Sequence, residues 1–455
     1  MKSINPDTTK KQKGLSRRNF LQSTAAAALF TYVPKRVLGQ NGQPGANEKL
    51  NIAGIGIGGQ GSHDIDQYAG ENIVALCDVD EAHAAHVFNR YPNAKKYRDF
   101  RKMLDEMKEI DAVVVATPDH LHATVSLWAI QMGKHVYCEK PLTHTVEEAR
   151  RLAAAARQAK VATQMGNQGQ ASEETRRLCE MIWAGAIGGV REVHIWTDRP
   201  MQGLFNWYWP QGVDRPSDTP PVPDTMDWDL WLGPAPIRPY HPAYAPFRWR
   251  GWWDFGTGAL GDIGCHAMDA SFRALKLGHP ISVEANSTLV NEETYPAASM
   301  IRYEFPARGD MPPVQLNWYD GGLKPHRPAE LEEGRAWPDN GAIFVGEKGI
   351  MYGNRLIPES KMQEFTPPPA TLPRSPGHYQ EWANACKGGA PAGSNFDHAG
   401  PLTEVVLLGN IALRRSLKEK LTQVRLHWDG DNMQITNLPE ANQYLRRENR
   451  PGWTV

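Results

Sequence analysis

Short apolar runs separated by amphipathic stretches pattern the chain between residues 48 and 168. The runs at 50–55, 73–76, 110–116, His135–Cys138 and 161–165 read as strands buried on both faces, as in a parallel sheet. Helical patterns lie between them at 62–69, 123–132 and 145–160. Gly133 is placed to cap the second helix, and Glu147 and Glu148 fall in the first turn of the third, where the helix dipole favours acids. Residues 81–110 alternate helix-like and loop-like pieces. This alternation predicts an α/β fold, with a doubly wound parallel sheet over 48–168. A helix over 171–189 follows, and Val190–Trp196 opens a second domain within 169–455. There, 283–289, 298–305 and 314–318 read as strands, and 341–351 as a hairpin turning at Glu347, Lys348 and Gly349. His378–Cys386 and 402–417 read as helices, with a proline-rich link at 366–376 before them.

Chemistry enters at the end of the first strand. Gly56, Gly58 and Gly61 stand at G-x-G-x-x-G spacing, with Gly59 and Gln60 between them. Each glycine has a job if a dinucleotide binds. Gly56 makes the tight turn, Gly58 lets backbone approach a pyrophosphate, and Gly61 lets helix pack on strand. The helix N-terminus offers unpaired N–H groups to the phosphates. Asp78 ends the second strand, where an acceptor for the adenosine ribose hydroxyls is expected, and Asp80 follows it. Two acids would repel a 2′-phosphate, so the cofactor expected is NAD rather than NADP. A cation from another loop would reverse that preference. After the third strand, Thr117, Pro118 and His122 lie where open parallel sheets bind ligands; contact with the cofactor is expected of them, and a solvent-facing helix is the alternative for His122. After the fourth strand come Glu139, Lys140 and Pro141, and after the fifth Asn167. Lys140 can be partly desolvated there and polarise a substrate hydroxyl, or it can be a surface lysine paired with Glu139.

The aromatic residues concentrate in an awkward place. Nine of the 15 tryptophans lie between Trp183 and Trp253, and 198–250 carries too much Pro and Gly for regular structure. Long ordered loops of this kind are usually functional. Most of these indoles are expected in the core of an irregular lobe, with two or three lining a pocket, where indole faces suit sugar C–H faces. Next, Asp262, His266 and Asp269 fall at helical spacing on one face. A histidine near its standard pKa can take a proton from an alcohol at neutral pH, and a carboxylate beside it would fix its tautomer. The competing readings are a helix N-cap for Asp262 and a satisfied core histidine for His266. His378 and His398 are expected to be structural or superficial.

Composition narrows the class. Lys+Arg is 50 and Asp+Glu 51, a net charge of −1, so no field for nucleic acid or anionic membrane follows. The five cysteines have no C-x-x-C spacing, which indicates neither a zinc ribbon nor a redox pair, and all are expected reduced. No metal site is indicated. No apolar run reaches the roughly 18 residues that span a bilayer. Ser16, Arg17, Arg18, Asn19, Phe20, Leu21 and Gln22 match the twin-arginine export signature S-R-R-x-F-L-K except at Gln22, and a modest apolar stretch follows at 25–33. Residues 1–39 therefore read as a signal peptide handed to the twin-arginine export machinery, with 40–47 as linker. That route carries folded proteins, so a periplasmic or exported dinucleotide enzyme would hold its cofactor tightly. No stable membrane anchor is expected.

The glycine turn, the Asp78 terminus, the Pro118–His122 loop and Glu139-Lys140-Pro141 together resemble the Gfo/Idh/MocA oxidoreductases, which include glucose–fructose oxidoreductase and inositol dehydrogenase. The resemblance covers nearly the whole chain after the signal. It implies a Rossmann domain followed by an α+β domain with a large, mostly antiparallel open sheet, and a homo-oligomer, dimer or tetramer. It implies Lys140, Asp262 and His266 as the catalytic trio, with Gly56, Gly58, Gly59, Gln60, Gly61, Asp78, Thr117, Pro118, His122, Glu139, Lys140 and Asn167 at the cofactor. The activity implied is NAD-dependent oxidation or reduction of a secondary hydroxyl of a sugar, glycoside or cyclitol, a 3-keto-glycoside being one product. The alternative is an NAD-dependent glycosidase that oxidises a sugar transiently, eliminates the aglycone and reduces the product again.

Overall fold

The computed structural model describes residues 48–202, 206–418 and 424–454. The twin-arginine segment, the signal peptide and the linker lie outside them. The valine-rich and isoleucine-rich runs form a six-stranded parallel sheet: β1 (Asn51–Ile55), β2 (Asn72–Cys77), β3 (Lys95–Tyr97), β4 (Ala112–Val115), β5 (His135–Cys138) and β6 (Thr163–Met165), in the order β3-β2-β1-β4-β5-β6. Helices α1 (Gln60–Asp66), α2 (Glu81–Arg90), α3 (Phe100–Glu106), α4 (Asp119–Gln131) and α5 (Val146–Ala159) connect them. The chain steps outward from β1 to β3 and then returns to β4 on the other side of β1. That reversal opens a crevice beyond the carboxyl ends of β1 and β4, where ligands of such sheets bind. Thr145 caps α5 and Glu148 completes a capping box, so this helix begins where its sequence says.

After α6 (Glu173–Trp183) a second, nine-stranded sheet forms. Its strands are β7 (Val190–Trp196), β10 (Ser282–Ser287), β11 (Ser299–Phe305), β12 (Val314–Tyr319), β13 (Gly341–Gly346), β14 (Ile350–Tyr352), β15 (Arg355–Ile357), β16 (Val424–Asp429) and β17 (Gln434–Ile435); β8 (Met201–Gln202) and β9 (Asn206–Trp207) pair separately. All neighbours in the nine-stranded sheet are antiparallel except β7 and β12. Side chains of β11 alternate between core and outer face, as period two requires. The remaining helices that matter here are α7 (Trp228–Leu232), α8 (Gly258–Ala267), α9 (Asp269–Ala274), α10 (Glu359–Glu364), α11 (His378–Cys386) and α12 (Phe396–Ala412).

Several elements differ from expectation. Helix α8 starts at Gly258, four residues ahead of Asp262, because Gly261 lies inside the helix rather than in a turn: a Cβ there would meet Thr257 Oγ1 at 1.8 Å. Helix α12 starts at Phe396, since Asn395 caps it and Pro401 still falls early in the helix. The edge strands β15 and β17 are too short to be read from pattern, and β16, which lies between β10 and β17, alternates between core and outer face but was missed by sequence reasoning. The loop lobe at 198–250 is irregular as expected, apart from α7, the β8–β9 pair and a 3-10 turn that opens at Arg248. The cysteines are all free thiols. No described helix is long and apolar enough to cross a membrane.

Helix α12 joins the two sheets. It is buried along nearly its whole length and packs on α5, α8 and β10. Its Glu404 accepts two hydrogen bonds from Arg150 of α5, at 2.7 and 2.9 Å, one from Trp428 Nε1 of β16 at 3.1 Å, and pairs with His279 at 2.7 Å. Burial opposes the charge on Glu404, but His279 and Arg150 outweigh it and hold its pKa below the usual range. Glu404→Ala is therefore expected to destabilise the protein by about 3 kcal/mol in denaturant unfolding at pH 7, the lower end for a broken buried pair because Arg150 is partly exposed. A folded pKa below the unfolded one means this contribution is full above the unfolded value of about 4.3 and fades as pH falls through the folded value. The difference between wild type and variant should shrink accordingly in acid.

Candidate active site

A cleft of about 530 Å³ opens at the carboxyl ends of β1, β2, β4 and β5, and both sheets' domains contribute to its wall. Gly56 turns with φ +78°, and a Cβ there would stand 2.7 Å from the Thr117 backbone nitrogen. A Cβ on Gly61 would stand 2.3 Å from Gly56 O, so Gly61 serves the close approach of α1 to β1 and does not line the cleft. Gly56, Gly58, Gly59 and Gln60 do line it, and α1 has no side-chain cap on its N-terminus. Asp78 is buried and accepts from Gly58 N at 2.9 Å and Asp80 N at 3.0 Å. Burial raises its pKa, and these two donors oppose that. Thr117 Oγ1 is buried without a hydrogen-bond partner in the same wall. An uncapped helix end, a glycine cradle, a strand-end acid and an orphaned hydroxyl fit a dinucleotide. Gly56 to Gln60 would face its phosphates and Asp78 its adenosine ribose.

At the other end of the cleft the chains of the two domains meet. Lys140 Nζ, at the end of β5, donates to Asp262 Oδ1 on α8 at 2.7 Å. Arg250 Nε donates to the same oxygen at 3.0 Å. Burial alone would raise the Asp262 pKa, but Lys140 and Arg250 hold it well below the carboxylate range. The pairing of Lys140 with Glu139 therefore does not form. Arg250 is also stacked over Trp249 at 4.3 Å and Phe247 at 4.4 Å. Sequence reasoning missed it, because an arginine in an irregular loop carries no periodicity. Among the described residues, neither ring nitrogen of His266 has a hydrogen-bond partner, and the ring lines the cleft. Two expectations for it are corrected. Asp262 does not fix its tautomer, since its Oδ1 serves the two cations. Nor is its pKa standard: burial first, and Lys140 second, push it down to about 3. A neutral imidazole with a free lone pair results.

Other candidate residues have defined places. Pro118 and Glu139 line the cleft. Glu139 is buried against Asp64 of α1; burial raises both pKa values, and the charge of Asp64 raises that of Glu139 further. Asp64 was not foreseen, because its partner is 75 positions away. His122 lines the cleft, but its two nitrogens lie 2.7 Å from the carbonyl oxygens of Pro141 and Thr117, which ties the two loops together. Asn167 is fully buried with Oδ1 accepting from Ser394; the chain turns there into a 3-10 helix, and Gln168 lines the cleft instead. Asp269, expected on the same helix face as Asp262 and His266, pairs with His398 and does not line the cleft. Asp119, overlooked in the sequence, is buried in the cleft wall, takes a bond from Thr257 and is pushed up to about 7 by burial. Of the tryptophans in the irregular lobe, Trp231 and Trp249 reach the cleft, and Trp453 joins them from far down the chain.

Comparison with known proteins is consistent along the chain. The family model described as "Oxidoreductase family, NAD-binding Rossmann fold" matches residues 50–167. That described as "Oxidoreductase family, C-terminal alpha/beta domain" matches 172–309. Inositol 2-dehydrogenase of Salmonella typhimurium is 30% identical over 146 residues, 31% of this chain and 43% of that protein. D-glucoside 3-dehydrogenase of Escherichia coli is 31% identical over 137 residues, 30% of this chain and 38% of that protein. The matches thus span less than half the length of these relatives. In fold, the chain is similar to the WlbA dehydrogenase of Bordetella pertussis, solved with NADH and UDP-GlcNAcA, at TM-score 0.55 and 19% identity, covering 84% of this chain and 99% of that one. It is also similar to the aldose-aldose oxidoreductase of Caulobacter crescentus at TM-score 0.53 and 15% identity, covering 84% and 100%. From its glycine turn to its second sheet, this chain belongs to the Gfo/Idh/MocA oxidoreductase family and carries that family's NAD-binding Rossmann domain.

Proposed function

We propose that the protein oxidises or reduces a secondary hydroxyl of a sugar, glycoside or cyclitol with NAD, and that it is exported with the cofactor held tightly. The observation that carries this reading is the meeting of Lys140, Arg250 and His266 in the same cleft as the dinucleotide cradle, with Asp262 bonded to both cations. Bound NAD would supply the hydride acceptor or donor. The chain's own groups deal with the proton and the charge. Lys140 is fixed by Asp262 and can donate to the substrate oxygen, favouring the alkoxide character that builds as the C–H bond weakens; such positioned electrostatic stabilisation is often the largest catalytic term. Neutral His266 can accept the hydroxyl proton. Two cations against one carboxylate leave the pocket biased toward negative charge on the substrate oxygen.

Asp78 and Asp80 support NAD over NADP. The cation that could reverse this is present: Arg98 lines the cleft. Its Nε, however, donates to Glu81 Oε1 at 2.8 Å, so it is already committed. Export rests on residues 16–22, and a homo-oligomer on the large open sheet.

Three outcomes are expected. Lys140→Met should lower kcat by about 10²–10³-fold with the protein still folded and binding NAD; full activity in that variant removes the assignment. With glycosides, the ketone should form without aglycone release, whereas release with no net change in the cofactor would establish the elimination chemistry instead. In NMR of histidine-labelled protein, the signal that disappears in His266→Gln should remain that of a neutral ring down to pH 5. The sign follows from the lowered pKa: the ring gains its proton only as pH falls through about 3. A midpoint near 6.5 would contradict the buried, cation-flanked environment.

A further inference from the structure

The Asp78 end of the cleft is walled by more than the Rossmann domain. Met226, Leu230 and Trp453 line it alongside Val79 and Phe100. Two separate segments bring them there. The first, at 225–230 in the irregular lobe, is stitched to the loop after β2 by backbone bonds: Glu81 N donates to Thr225 O at 3.0 Å and Asp227 N to Val79 O at 2.8 Å, with Asp80 and Met226 forming a bridge. The second is Arg450–Trp453. Its Arg450 donates to Gly233 O at 2.7 Å, Asp229 Oδ1 at 2.7 Å and Asp229 O at 2.9 Å, locking this segment to the first. The Trp453 indole then packs 6.3 Å from the Phe100 ring, with the Arg101 guanidinium 4.3 Å above it.

From this closure, and resting on the dinucleotide reading above, we propose that residues 225–230 and Arg450–Trp453 form a clamp over the adenosine half of the cofactor that keeps NAD in place between turnovers. An open Rossmann crevice lets the cofactor leave by simple dissociation. Here the adenine side is covered by apolar side chains of two segments, the first hydrogen-bonded through its backbone to the loop that follows Asp78 and the second tied to the first by Arg450. Withdrawal of the clamp requires the bonds of Arg450 to break together, so release is slow even where the direct contacts to the cofactor are ordinary; retention is then a property of the dissociation rate. Among the described residues, no hydrogen bond or ion pair joins either segment to Lys140 or His266, so the clamp is separate from the chemistry.

The test uses the full chain with Trp453→Ala and Arg450→Ala, and reads cofactor binding rather than turnover. Bound NAD is exchanged against isotopically labelled NAD and followed by mass spectrometry. ADP-ribose and nicotinamide mononucleotide are titrated separately into cofactor-stripped protein. Wild type should keep its NAD through dialysis. Both variants should exchange it at least about tenfold faster, lose affinity for ADP-ribose by a similar factor and bind nicotinamide mononucleotide unchanged. The proposal is overturned by exchange at the wild-type rate in both variants, or by equal loss of both half-cofactors, which would mean general damage to the site. Wild type that binds NAD but exchanges it within the mixing time overturns the clamp and leaves the oxidoreductase reading standing. Wild type that binds neither NAD nor ADP-ribose overturns both.

Discussion

The ion pair between Lys140 and Asp262 is the constraint on which the site depends. It joins the end of a Rossmann strand to a helix 122 positions later, across the junction of the two sheets. Taking an ammonium and a carboxylate partly out of water is costly unless each is compensated. Arg250 supplies the second cation, and stacking on Trp249 and Phe247 holds it in place. The aromatic lobe thus stabilises an electrostatic arrangement as well as forming a core. Removal of the carboxylate leaves two cations uncompensated, whereas removal of either cation leaves Asp262 paired with the other, which links the packing of the loop lobe to the charge state of the cleft.

The same arrangement explains the histidine. A ring beside a lysine in a buried pocket is disfavoured as a cation, and Asp262, already engaged, does not offset this. His266 is left neutral with an open lone pair, a state suited to receiving a proton from an alcohol whose oxygen Lys140 polarises. The thermodynamic difficulty of giving a proton to so weak a base is eased to the extent that the lysine lowers the alcohol's own pKa. Glu139 and Asp64 form a second buried acidic pair behind the lysine, and their raised pKa values limit the negative charge there.

Much of this was legible in the sequence where chemistry follows period. Five of the six strands of the first sheet, the glycine turn and Asp78 are local patterns, and local patterns survive folding. The trio Lys140, Asp262 and His266 came from resemblance, since no local rule brings residue 140 to residue 262. What escaped was long-range or aperiodic. Arg250 sits in a loop without pattern, Asp64 meets Glu139 only through the packing of α1, and Trp453 reaches the cleft from a segment that reads as irregular. Asn167 was misplaced for the opposite reason: a position counted from the strand end does not reveal that the backbone turns and presents Gln168.

A structure of the protein with NADH bound tests the central claim most directly. The account predicts the pyrophosphate over Gly56 to Gln60, the adenosine ribose at Asp78, and the nicotinamide ring beside Lys140 and His266 with its C4 facing the space between them. A nicotinamide directed away from both groups, or a dinucleotide seated elsewhere on the molecule, would contradict it.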